Sequence, residues 1–150
     1  MAKTMLSTDV EWVQHGVQSR AQIRQHQMTI DEPVTWGGAD QGANPVELVL
    51  AGLGGCLNVL LASFAPLHEV VLSHVVIHVE GDLDPDGFTG VNPMVRPGFL
   101  EIRYTITIDS PSPQDRVAAL VEHAERMCPV KDTLGGVTIQ AGPLQINAAS

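Results

Sequence analysis

Cysteine, basic residues and aromatics are all scarce in this sequence. Two cysteines in 150 residues are too few for a disulfide scaffold, so the expectation is a cytoplasmic protein whose thiols start reduced. Eight Lys and Arg stand against seventeen Asp and Glu, a net charge of -9. The basic residues are scattered, which excludes nucleic acid and anionic membrane surfaces as partners, because both need clustered cations. Aromatics make up 4% of the chain. The stretch Met1 to Thr8 is short and polar, without the apolar core or cleavage pattern of a signal peptide.

Apolar residues are present in quantity. At 44% hydrophobic the chain is too apolar for intrinsic disorder, and its length suits one domain with a sizeable core. No charge interrupts Leu48 to His68, about the 20 residues that cross a bilayer. Gly52, Gly54, Gly55, Asn58 and Pro66 argue against a span, as do the acidic flanks Glu47 and Glu69. The run reads instead as a central, buried helix.

Its start is well marked. Asn44 caps, Pro45 takes the first helical position, and Glu47 stands three residues past the cap, as in a capping box. This predicts a helix to about Ala65. The first 35 residues predict two or three short strands turning at Gly16. Alternation predicts strands over Val70 to Glu80 and Phe99 to Asp109, each with one wet face, as in an antiparallel sheet. Ser112-Pro113 with Asp115 predicts a second helix with its inner stripe on Val117, Leu120, Val121, Ala124 and Cys128, stopped by Pro129. A last strand, 137–147, is interrupted by Gly142-Pro143. The class is α+β, a single domain over 1–150. A helix apolar on every side needs cover on every side, which predicts an intimate homodimer.

The cysteines are the first candidates for chemistry. Neither Cys56 nor Cys128 belongs to a CxxC, so zinc and redox-motif spacings are absent. On chain features alone both also read as buried structural thiols. The local motifs around them bear on that choice. Gly37-Gly38-x-Asp40-x-Gly42-x-Asn44-Pro45-x-Glu47-Leu48 precedes Ala51-Gly52-Leu53-Gly54-Gly55-Cys56. Glu80-Gly81-Asp82-Leu83, Pro97-Gly98-Phe99 and Cys128-Pro129-Val130 follow in order. This pattern, from about Asp31 to Val137, resembles the OsmC/Ohr family of thiol-dependent hydroperoxide reductases. The resemblance implies a swapped, intertwined homodimer with the long helices at its centre. It also implies that Cys56 attacks an organic hydroperoxide, that Cys128 resolves the sulfenic acid as a disulfide, and that an external dithiol restores the enzyme. A thiolate attacking peroxide oxygen and a second thiol condensing with the product need no metal or organic cofactor.

Thiol acidity alone cannot supply the catalysis. A free thiol of pKa about 8.5 is roughly 3% thiolate at pH 7, and lowering the pKa to about 6 gives roughly 90%. Reduced nucleophilicity takes back about tenfold of that gain. A cation must therefore orient the peroxide and stabilise the leaving oxygen. Cys56 lies too far into its helix for the helix dipole to help. The resemblance implies an N-terminal arginine beside a helix-start glutamate. Here Arg24 is the first candidate, Arg20 the second and Arg96 a third, though neither Arg20 nor Arg24 sits in the Gly-Arg turn of the Ohr branch. Glu47 is the candidate acid, or else only a cap. Nine helical residues put Glu47 and Cys56 on opposite sides, about 13.5 Å apart in rise. A shared site would need either a bend at the glycines or two chains.

Other groups carry weaker signals. Asp82-x-Asp84-x-Asp86-Gly87 mimics a calcium loop but has Pro93 at its twelfth position. His74 and His78 share a strand face without a third ligand, and His123 reads as surface. Trp12, Trp36, Phe64 and Phe99 read as core, with an alkyl-binding pocket as the alternative. The rival functions are an OsmC-fold binding protein and a redox sensor without efficient peroxidase turnover.

Overall fold

The computed structural model describes residues 1–149. It divides into two compact units, Met1–Val49 and the chain from Leu50 onward.

The first unit is an antiparallel sheet of β1 (Asp9–Trp12), β2 (Ser19–Ile23) and β3 (His26–Ile30), in that order. Gly16 has φ +54 in the turn after β1, as the sequence suggests. A loop then wraps Asp31, whose buried carboxylate accepts from the amides of Glu32 at 2.8 Å, Ala39 at 3.3 Å and Gln41 at 3.1 Å. The first of these bonds is the main cause that holds the Asp31 carboxyl below its ordinary value. The glycine-rich motif serves this loop sterically. A Cβ at Gly38 would stand 2.0 Å from the Glu32 carbonyl oxygen, and one at Gly42 would stand 2.2 Å from that of Thr29. Trp12 and Trp36 are exposed rather than core. Ala21 is the buried side chain of this sheet, whose strands have no second layer over them in the unit.

Helix α1 runs Pro45–Phe64 and stays helical through Gly52, Gly54 and Gly55. The capping box forms as predicted. Asn44 Oδ1 accepts from the Glu47 amide at 2.8 Å, and Glu47 Oε2 accepts from the Asn44 amide at 2.9 Å. A short 3-10 turn, Ala65–His68, follows and ends at Glu69 with φ +53.

In the second unit β4 (His74–Asp82) pairs antiparallel with β5 (Glu101–Ser110). Strand β4 begins later than the alternation suggests. Val71 is bound on both sides by side chains, its amide donating to Ser112 Oγ and its carbonyl accepting from Ser110 Oγ. Alternation in β5 buries Ile102, Tyr104, Ile106 and Ile108. Leu100, inside the range predicted for this strand, lies before it and is exposed. The last segment forms two strands, β6 (Thr138–Ala141) and β7 (Gln145–Ala148), both parallel to β5. The sheet is therefore mixed rather than purely antiparallel. Gly81 leaves room in β4 for the Phe99 ring, which a Cβ there would meet at 2.7 Å. Asp84 caps the short α2 (Pro85–Phe88), and Arg103 gathers Glu80, Asp82 and Glu101 on the wet face.

Helix α3 is Gln114–Met127. Ser112 does not cap it, because its hydroxyl is taken by the Val71 amide and Pro113 stands at the cap position without a side-chain bond. The predicted stripe is buried in full, Cys128 included. Pro129 forces Cys128 into an extended conformation (φ -75, ψ 109), ending α3 and opening the short α4 (Pro129–Thr133).

The core of this unit lies between the sheet and the helices. On α1 the fully buried residues are Leu53, Leu57 and Leu61, and a Cβ at Gly54 would stand 3.2 Å from Val79 Cγ2. The opposite side of α1 is open, with Val49, Ala51, Gly52, Gly55, Asn58, Val59 and Ala62 exposed. Val59 is 65% exposed, and only 22% of the most apolar stretch of the span 45–68, mean hydropathy 2.0, is buried. This is one helix long and apolar enough to cross a membrane by length and composition.

Candidate functional site

Two sulfurs from distant parts of the chain meet in the second unit. Cys56, half-buried on α1, is near enough to Cys128 at the α3–α4 junction for the two thiols to influence each other's ionisation. Both are free thiols. The structure thus brings together the two cysteines that the sequence analysis singled out.

Cys128 is buried, and burial is the main cause that pushes its thiol up from the ordinary value. The neighbouring Cys56 thiol adds to the rise. The backbone amides of Lys131 and Val130 oppose it, the former donating to Cys128 Sγ at 3.4 Å. That amide points at sulfur because Pro129 turns the chain there.

A polar group stands beside the pair that the sequence reading missed. Tyr104 Oη donates to Glu125 Oε1 at 2.7 Å and accepts from Lys131 Nζ at 3.3 Å. The ammonium also lies 5.6 Å from the centre of the Tyr104 ring. Burial, then the Glu125 bond, raises the Tyr104 phenol well above its ordinary value, so it stays protonated. Three elements supply these residues, and only the apolar face of β5 was visible as a signal. Beyond them opens a cavity of about 290 Å³ lined by Glu125, Arg126, Cys128, Lys131, Asp132 and Gly135.

The remaining candidates have other settings. In the first unit Arg20 pairs with Glu11 at 3.3 Å. Arg24 sits exposed in the β2–β3 turn with φ +54, and Glu47 is engaged in its capping box. In the second unit Arg96 donates to the Gly136 carbonyl at 3.0 Å. His123 is not a free surface residue. Its Nδ1 is 2.9 Å from His68 Nε2, and its ring stacks on Phe64 with centroids 4.2 Å apart. His78 pairs with Glu80, and no cluster of three or more metal-ligating side chains occurs among the described residues.

The fold recurs in known proteins. The chain superposes on an OsmC-like protein from Mycoplasma pneumoniae with a TM-score of 0.82 and 19% identity, covering 97% of this chain and 99% of that one. An organic hydroperoxide resistance protein OsmC from Legionella pneumophila gives 0.66 at 19% identity, covering 98% and 99%. An organic hydroperoxide resistance protein from Elizabethkingia anophelis gives 0.68 at 17%, covering 99% of each chain. At these identities the likeness is one of fold. No curated protein matches the sequence. The family model for OsmC-like proteins matches residues 37–141, from the glycine loop through both cysteines to the end of β6, and the chain belongs to that family.

Proposed function

We propose that this protein is a thiol-dependent peroxidase that reduces organic hydroperoxides to alcohols. The observation that carries the reading is the Cys56–Cys128 pair, two free thiols from distant parts of the chain, 72 positions apart, that lie near enough to interact. The Cys56 thiolate attacks a peroxide oxygen, the O–O bond breaks, and the alkoxide takes a proton and leaves as the alcohol. Cys56 is left as a sulfenic acid. Cys128 sulfur then displaces its hydroxyl, which departs as water, and an intramolecular disulfide remains. A dithiol reduces it in a reducing, cytoplasmic setting.

The helix around Cys56 favours an apolar substrate, with Val59 exposed and Leu60 half-buried on the adjacent turn. The bare face of α1 supports a homodimer in which a second copy covers it. Since α1 is unbroken at its glycines, a site using both Glu47 and Cys56 would draw them from different copies. Arg24 remains the first candidate for the cation. Arg20 is already paired with Glu11.

The test is a thiol count after one equivalent of cumene hydroperoxide. Wild type loses both thiols within seconds, and Cys128→Ser stops at a sulfenic acid on Cys56 that dimedone traps. Thiols that survive the peroxide, or are lost only over hours, overturn the reading in favour of a binding or sensing protein.

A further inference from the structure

We propose that the polar cavity against Cys128 is the entry site for the dithiol that reduces the oxidised protein, and that the reductant's first sulfur bonds to Cys128, not Cys56. This rests on the disulfide cycle proposed above and names the partner of its last step.

The two sulfurs stand in different surroundings. Cys56 sits among the apolar residues of α1, which suits a hydroperoxide carrying a hydrocarbon group. Cys128 is the sulfur that lines the cavity, together with two acids, Glu125 and Asp132, and two bases, Arg126 and Lys131. Charges of both signs in equal number suit a polar, uncharged or zwitterionic dithiol. A volume of about 290 Å³ holds a short chain of that kind but not a protein domain.

The chemistry favours the same sulfur. In thiol–disulfide exchange the leaving thiol of lower pKa departs faster. Burial pushes the Cys128 thiol up, so it is a poor group to expel first and a suitable atom to attack. The reductant's thiolate bonds to Cys128 Sγ, the Cys56–Cys128 bond breaks, and its electron pair leaves on Cys56 sulfur, which takes a proton. The reductant's second thiolate then attacks the first, forming its own disulfide and expelling Cys128 as a thiolate. The dithiol is oxidised by two electrons and the protein disulfide is reduced by two. The Lys131 amide, 3.4 Å from Cys128 Sγ, is in place to hold that late charge.

Charged monothiols test this on protein oxidised by diamide, so hydroperoxide turnover plays no part. The rate ratio of 2-mercaptoethanesulfonate to cysteamine should rise about tenfold in Asp132→Lys and fall about tenfold in Arg126→Glu, both relative to wild type. After one half-time and a maleimide quench, peptide mapping should find the added thiol on Cys128 and maleimide on Cys56. The Cys56→Ser protein gives a second measurement without a disulfide. Its lone Cys128 should react with cationic and anionic methanethiosulfonates in ratios that move the same way in the two charge variants. Adducts on Cys56, or ratios that the charge variants leave unmoved, overturn the proposal. A protein that passes these tests yet never consumes hydroperoxide refutes the peroxidase and leaves the cavity assignment standing.

Discussion

The side chains of Asn44 and Glu47 accept from each other's backbone amides, at 2.8 and 2.9 Å respectively, and so close the first turn of α1 from both sides. The cap uses one carboxylate oxygen as acceptor, and the amide oxygen of a glutamine can accept the same single bond, somewhat more weakly. Structural and catalytic roles for Glu47 are therefore separable by one substitution. Glu47→Gln should keep the melting temperature within about a degree while slowing peroxide-dependent thiol loss at least tenfold. Unchanged kinetics would leave Glu47 as a cap alone. Asn44→Ala, which removes the buried partner, should cost about 1 kcal/mol in denaturant unfolding.

Asp31 should make stability pH-dependent at the acid end. Its folded pKa is lowered from an ordinary 3.8, so its contribution is present above that value and is lost as pH falls through the folded pKa. Asp31→Asn should be less stable than wild type at pH 7, because a neutral amide accepts more weakly from three amides. As pH falls below 3.8 and through the folded pKa, the two denaturation midpoints should converge. A gap that does not narrow at all with falling pH would assign the effect to packing.

Arg103 is the cation among three carboxylates, and its hydrogen bonds hold Glu80 and Asp82 below their ordinary values. Arg103→Met should therefore destabilise the fold at pH 7, more at 20 mM salt than at 500 mM. The deficit should shrink as pH drops and these acids protonate. Equal deficits at pH 7 and pH 2.5 would mean that the lost stem, not the charge, matters.

Val59 stands on the open side of α1. If a second copy covers that side, light scattering should give the wild type twice the mass of one chain. Val59→Glu should give one chain's mass, with its α-helical signal retained. A wild type already monomeric at micromolar concentration would refute the paired helices.

Local signals in the sequence carried the local structure. The cap of α1, the stripe of α3 and the alternation of β5 form where their spacing puts them, because each depends on residues within a few positions. Long-range partners were not legible in this way. Nothing in 138–148 says that these residues run parallel to β5, and nothing near His123 points to His68, 55 positions away. Ser112 fits the pattern of a cap, yet a backbone amide 41 residues distant takes its hydroxyl. The two tryptophans read as core by size, yet Trp12 on β1 and Trp36 in a short 3-10 turn are both exposed. For the site, motifs named the cysteines, while Tyr104, Glu125 and Lys131 gather only through tertiary packing.

The carbonyls of Glu32 and Thr29 press so closely on Gly38 and Gly42 that no larger residue fits without moving backbone. The signature by which relatives of this chain are recognised is thus partly a record of crowding around a buried carboxylate, remote in kind from sulfur chemistry. A descendant could lose both thiols and still carry the glycines undisturbed. Membership in the family and possession of its reaction are then inherited separately, and each sequence has to be asked for its sulfurs on their own account.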